Sequence, residues 1–231
     1  MKDLRETALA VKAASAELGL LGTEKRNAAL AAIADALMAH EADILAANEL
    51  DLADGRANGM RESMLDRLAL THARVEGMAE GVRQLIALPD PVGEVVEEFA
   101  RPNGLRIRKV RVPLGVIGMI YEARPNVTVD TAAIALKTGN GILLRGSASA
   151  LRSNMALAGA MRGALKGAGV PENALAVVED TAHESVDRML RMNDCGCYHP
   201  ARRRGADPPR VGNGDSACTG NRRWQLPCLS G

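Results

Sequence analysis

An α/β fold is predicted, with a helical N-terminal region leading into a doubly wound parallel sheet, and three observations carry it. Up to the Leu88-Pro89 junction, apolar residues recur at helical spacing. From Pro113, short apolar runs alternate with helical stretches. Between the two regions lie a pair of alternating, β-rich runs separated by a turn signal.

In chain order, ETALAVKAASAEL and EKRNAALAAIADALMAHEADILAANELDLADG each keep one apolar face in a helix. Thr23 stands where an N-cap is expected, and Asn58-Gly59 marks a stop. MRESMLDRLAL and THARVEGMAEGVRQLIAL continue the helical pattern until Pro89 and Pro91 end it. VGEVVEEFA and LRIRKVRV, joined around Pro102-Asn103-Gly104, read as a hairpin. LGVIGMIY, GILLRG and ALAVVED read as strands buried on both faces. NVTVDTAAIALKTG, SASALRSNMALAGAMRGALKGAG and HESVDRMLRM read as the helices that follow them. In such sheets ligands bind beyond the carboxyl ends of the strands.

The chain has 231 residues, 47% of them hydrophobic, so a sizeable core is available. A formal net charge of +1 argues against a nucleic-acid partner. No apolar run has the length of a membrane span, and MKDLRETALAVKAASAEL carries acids where a signal peptide would be apolar. A cytoplasmic location without membrane contact is expected.

Two strand ends carry polar residues where a ligand would sit. In YEARPN, Pro125 makes the loop rigid and delivers Asn126 into the next helix, either as an ordinary N-cap or as an active-site donor. In LLRGSAS, Arg145 offers a fork for phosphate and Gly146 permits close backbone approach. Ser147 opens a helix whose N-terminus favours an anion. A G-x-G-x-x-G fingerprint is absent.

These stretches bear a family likeness. VPLGVIGMIYEARPNVTVD closely resembles the signature of the gamma-glutamyl phosphate reductases, also called glutamate-5-semialdehyde dehydrogenases, within the aldehyde dehydrogenase superfamily. ANGMRESMLDRLALT, LPDPVGEV, ALKTGNGILLRGS and EKRNAALAAIADAL support the match, which covers about residues 5–192. The resemblance implies an aldehyde-dehydrogenase-like fold. It also implies reduction of L-glutamyl 5-phosphate to glutamate 5-semialdehyde with NADPH, in proline biosynthesis. A cysteine would attack the acyl phosphate, phosphate would leave, and the thioester would be reduced. On this likeness Asn126 matches the oxyanion-stabilising asparagine. Arg145 takes a place near the adenosine ribose where it would favour the 2′-phosphate of NADP, with Gly146 and Ser147 in the same pocket. Full-length relatives are expected to be homo-oligomers.

The resemblance also exposes a gap. The family's nucleophilic cysteine lies in a later domain, whereas all four cysteines here, Cys195, Cys197, Cys218 and Cys228, fall in a tail without periodic apolar positions. That tail has three readings. Cys195, Cys197 and His199 would make a zinc site only with a second ligand pair that the spacing does not supply, so no metal is expected. A basic disordered tail has arginines but lacks interleaved aromatics. The favoured reading is a shifted frame. Read one base later, codons for Gly196 to Ala206 can give Asp-Val-Ile-Ile-Pro-Arg-Gly-Gly-Ala-Gly-Leu, which contains the family's turn. Those for Gly220 to Leu229 can give a second family-like run. The expected organisation is therefore 1–90, the helical part of the cofactor-binding domain; 91–112, an oligomerisation-type hairpin; 113–192, the α/β core; and 193–231, an out-of-frame or disordered tail. The chain is expected to be truncated, with the catalytic domain missing and the sheet left with an open apolar edge.

Overall fold

The runs at 116–120 and 141–145 lie side by side at the centre of a parallel sheet. The computed structural model describes residues 3–192 and, beyond them, the backbone of Cys197–Pro200. Five helices come first: α1 (Leu4–Leu20), α2 (Thr23–Ala39), α3 (Glu41–Ala57), α4 (Glu62–Leu68) and α5 (His72–Ala87). Strands β1 (Val95–Ala100) and β2 (Arg106–Val110) pair as an antiparallel hairpin. Then follow β3 (Val116–Ile120), α6 (Pro125–Lys137), β4 (Gly141–Arg145), a short 3-10 turn, α7 (Leu151–Gly167), β5 (Leu175–Val177), α8 (His183–Leu190) and β6 (Cys197–Pro200). The four-stranded sheet has the order β5-β4-β3-β6, with every pairing parallel. This is a doubly wound arrangement of helices and parallel strands, as the sequence predicts.

Alternation along β4 builds two cores, one on each face of the sheet. Ile142 and Leu144 enter a large cluster with Leu30, Ile33, Val129 and Leu157, so α2, α6 and α7 cover that face. Leu143 points the other way, into a smaller cluster with Ala8, Val11 and Met189 from α1 and α8. Every residue of β4 is buried, which explains why its sequence is a continuous apolar run rather than an alternating one. The order also places a switch between β3 and β6. The chain moves outward from β3 to β5, then returns to the far side of β3. The carboxyl ends of β3 and β6 flank the crevice such a reversal creates.

Local structure follows the sequence closely, with informative departures. Gly139 ends α6 at a φ of 73°, and a Cβ there would lie 3.0 Å from the Pro113 ring, so both backbone and packing demand glycine. Asn103 accepts from the Leu105 N–H (3.1 Å) in the hairpin turn, and Gly104 takes a φ of 84°. Thr23, expected as a cap, is instead the first residue of α2, with Gly22 at the cap position. Its hydroxyl donates to Asp90, as does Arg26, and Asp90 also accepts from the Val92 N–H at 2.9 Å. A carboxylate from 67 residues away holds this hydroxyl in a charge-assisted hydrogen bond.

The expectation of an open sheet edge beside β3 is overturned. Ile117 pairs with Cys197, Gly118 with Tyr198, Met119 with His199 and Ile120 with Pro200. The disordered alternative for the tail does not hold over the same four residues, whose backbone forms a strand. Backbone ladders need no side-chain periodicity, so an exposed edge can recruit a segment whose sequence does not look like a strand. The remaining tail positions, and the metal alternative at Cys195, Cys197 and His199, lie outside the described residues and side chains.

The hairpin stands apart from both cores. All of β1 and four of the five residues of β2 are exposed, including Val95, Val96, Phe99 and Val110. No helix among the described residues is long and apolar enough to cross a membrane.

Candidate active site

The segment Tyr121 to Asn126 leaves β3 at the switch, and a buried polar chain fixes its course. The Tyr121 N–H still pairs with the Arg145 carbonyl (3.1 Å), so the strand ladder runs one residue past β3. The Tyr121 hydroxyl donates to Thr128 Oγ1 (2.6 Å), which donates to Asn154 Oδ1 (2.9 Å) on α7. Burial pushes the Tyr121 phenol up to about 12, with the Thr128 contact opposing it, so the phenol keeps its proton and remains a donor. Three elements are thereby tied at one point. Among the described residues, Asn154 Nδ2 is buried without a partner.

Pro125 forces Arg124 into an extended conformation (φ −137°, ψ 94°) and starts α6 as its first residue. Arg124 therefore holds the N-cap position, and Asn126 is the second residue of the helix. The capping role considered for Asn126 is corrected: its φ and ψ are helical, so its side chain is not placed to cap. The Asn126 amide is exposed and makes no hydrogen bond among the described residues.

Asn126 lines a cleft of about 430 Å³ between α6, the α4–α5 connection and α5. Its polar wall is Asp66, Arg67, Arg74, Arg124, Asn126 and Asp130. Arg74 is spoken for, donating to the Asp66 carboxylate (3.0 Å) and to the Ala69 carbonyl (2.7 Å). Asp130 lies one helical turn after Asn126 on the same face, and burial raises its pKa. A larger cleft, about 620 Å³, opens between α1, α7 and the end of β5. None of Asn126, Arg145, Gly146 or Ser147 lines it. The smaller cleft is the better chemical candidate because it sits at the carboxyl end of a central strand and holds a free amide.

Arg145, Gly146 and Ser147 lie at the carboxyl end of β4, and the structure separates their tasks. Arg145 is buried; its Nη2 donates to the Thr181 and Ala182 carbonyls (2.6 and 3.2 Å), and its Nε lacks a partner. Burial lowers its pKa and the Asp180 carboxylate opposes that. A Cβ on Gly146 would lie 2.3 Å from Asn154 Nδ2 and 3.2 Å from the Tyr121 ring, so glycine is required here by packing against the polar chain. Ser147 caps the 3-10 turn, accepting from the Ser149 N–H (3.2 Å). The expectation of an open, anion-seeking helix N-terminus after this turn is corrected. Asp51 from α3 accepts from both the N–H and the hydroxyl of Ser153 (2.8 and 2.7 Å) at the start of α7. One N–H of the first turn of α7 is thereby held by the protein's own carboxylate.

Sequence reading missed Tyr121, Thr128, Asn154 and Asp51, and also the arginines of the cleft. No local pattern marks them, because each acts through a partner far along the chain.

A parallel sheet with a reversal beside β3, helices on both faces and a free amide at the switch defines a doubly wound α/β scaffold with a ligand crevice at the strand ends. The chain belongs to the aldehyde dehydrogenase family, whose model matches residues 2–198. Within that family its similarity runs to the gamma-glutamyl phosphate reductases. It is 55% identical over 194 residues to that of Geobacillus thermodenitrificans, covering 84% of this chain and 47% of that protein. It is 54% identical over 183 residues to that of Heliobacterium modesticaldum, covering 79% and 44%. The crystal structure of the Thermotoga maritima gamma-glutamyl phosphate reductase superposes with a TM-score of 0.86 at 42% identity, over 88% of this chain and 50% of that one. That of Saccharomyces cerevisiae gives 0.79 at 28%, over 87% and 51%. The chain spans about half the length of these relatives.

Proposed function

We propose that this chain forms the cofactor-binding half of an NADP-dependent glutamate-5-semialdehyde dehydrogenase. That enzyme reduces L-glutamyl 5-phosphate to L-glutamate 5-semialdehyde, with release of phosphate, in cytoplasmic proline biosynthesis. The observation that carries the reading is the Asn126 amide, free of any capping duty and presented to a cleft beyond the end of β3. In an acyl transfer, a cysteine thiolate attacks the acyl carbon, the S–C bond forms, and phosphate departs with the electron pair of the broken acyl C–O bond. Negative charge collects on the acyl oxygen during that attack, and an amide N–H held in the first turn of a helix stabilises it. The Tyr121–Thr128–Asn154 chain holds that helix in place.

The nicotinamide cofactor, when bound, supplies the reducing equivalent. Arg145 fits a role beside it. Its guanidinium is anchored through one nitrogen, and its buried Nε is left without a partner. A charged fork so placed at a strand end can read an additional phosphate. Gly146 leaves Asn154 Nδ2 facing the same turn, and Ser147 holds that turn in shape.

No cysteine precedes residue 195, so these residues provide the oxyanion donor and cofactor contacts, not the nucleophile. We read the residues after Asp194 as translation in a shifted frame. The coincidence of β6 with the site where a Val-Ile-Ile-Pro strand would be read in that frame supports this. The second reading, a nucleotide-binding fragment without catalysis, is favoured by the absent nucleophile. NADPH fluorescence titration of the 231-residue chain, alongside reverse oxidation of glutamate 5-semialdehyde with phosphate, tests the proposal. Saturable NADPH binding without turnover is expected. Turnover within tenfold of a full-length relative overturns the placement of the nucleophile, and failure to bind NADPH overturns the cofactor assignment.

A further inference from the structure

The cleft beside Asn126 carries more positive charge than an oxyanion donor needs. Arg67 ends α4, and Arg124 caps α6. Both are exposed to the cleft, and among the described residues neither pairs with an acid. Arg74, in the same wall, shows the contrast, being held by Asp66. The other carboxyl in the wall, Asp130, forms no ion pair with either guanidinium among the described residues. Two unpaired arginines on different elements, lining the same cleft as the Asn126 amide, can receive an acyl chain that is acidic at a point remote from its reacting carbon.

Resting on the function proposed above, we infer that Arg67 and Arg124 are specificity-determining residues. They recognise a free carboxylate at the far end of the acyl substrate and set the preference for acidic over neutral acyl chains. Guanidinium groups suit this because their planar forks match carboxylates and stay charged at every working pH. Exposed single contacts of this kind are weak, but two of them on a short dicarboxylate act together, and each lost charged hydrogen bond lowers affinity on the order of tenfold.

The test uses the 231-residue chain with glutarate as probe and pentanoate as its neutral-ended control, followed by the backbone and side-chain NMR signals of Arg67, Arg124 and Asn126. Glutarate is expected to shift all three and to bind on the order of tenfold more tightly than pentanoate. Arg67→Gln and Arg124→Gln should each remove most of that margin, Arg67→Lys and Arg124→Lys should keep part of it, and Arg83→Gln on a distant surface should change nothing. Equal binding of the two acids, or no shift at these residues at tens of millimolar glutarate, overturns the inference. So does a margin that survives both glutamine substitutions. A parallel NADPH titration separates the two claims. Cofactor binding with no glutarate preference sinks this inference alone, while loss of cofactor binding sinks the function it rests on.

Discussion

Arg145 shows how one side chain can hold two roles that a sequence cannot separate. Its strand-end position reads as a phosphate fork, yet the folded protein uses Nη2 to hold the Thr181 and Ala182 carbonyls, bracing the loop from β5 into α8. The two roles predict different losses. Arg145→Ala should weaken NADPH binding by about tenfold or more relative to NADH if the guanidinium reads the 2′-phosphate, because a charge-assisted contact is removed. If only the loop depends on it, both cofactors should weaken equally and thermal stability should fall, since the Thr181 carbonyl loses its charged donor. Paired titrations of the two cofactors with wild-type and variant chains decide between them. Asn126 is the simpler case. Its side chain supports no local structure, so its presence at the head of α6 calls for an explanation outside folding.

At the scale of elements, α3 and α7 are joined by buried polar contacts rather than by apolar packing alone. Asp51 is 2% exposed and receives Ser153 twice, while Arg152 reaches it from the same helix start at 3.4 Å. Asn48 extends the joint, donating to Ser153 Oγ (3.0 Å) and to the Leu68 carbonyl (2.9 Å) and accepting from the Leu70 N–H (2.7 Å). Asp51→Ala should cost about 3 kcal/mol, because it strands a buried N–H and leaves Ser153 without its acceptor at a helix N-terminus. Urea unfolding of the variant measures this; a loss below about 0.5 kcal/mol would mean that water replaces the carboxylate. Elements themselves were legible in the sequence, since the glycines after α3, α6 and α7 and the continuous run GILLRG state their positions locally. The joints between elements were not. Asp51 and Ser153 are 102 residues apart, and neither carries a mark of the other. The cleft was legible only at Asn126, because Arg67 reads as one more charge on the polar side of a short helix.

For the whole molecule the decisive feature is where the sheet stops. β3 is central only because β6 pairs with it, and the carboxyl ends of these two strands flank the switch that places Asn126. The residues that make β6 are Cys197, Tyr198, His199 and Pro200, an unusual set for a parallel strand, where continuous Val, Ile and Leu are the rule. The shifted frame proposed above would account for the mismatch, since the same codons one base later can give Val-Ile-Ile-Pro at these positions. The backbone register would stay the same and only the side chains would change. Replacing Cys197→Val, Tyr198→Ile and His199→Ile together in the 231-residue chain should therefore strengthen pairing along β3 and raise stability by about 1 kcal/mol or more. Hydrogen exchange of the β3 amides, read beside the urea midpoint, locates the gain. Slower exchange at Ile117 and Met119 with a higher midpoint is expected. An unchanged midpoint with unchanged exchange would show that the strand's identity does not depend on those side chains, and the shifted frame would then lose its structural support.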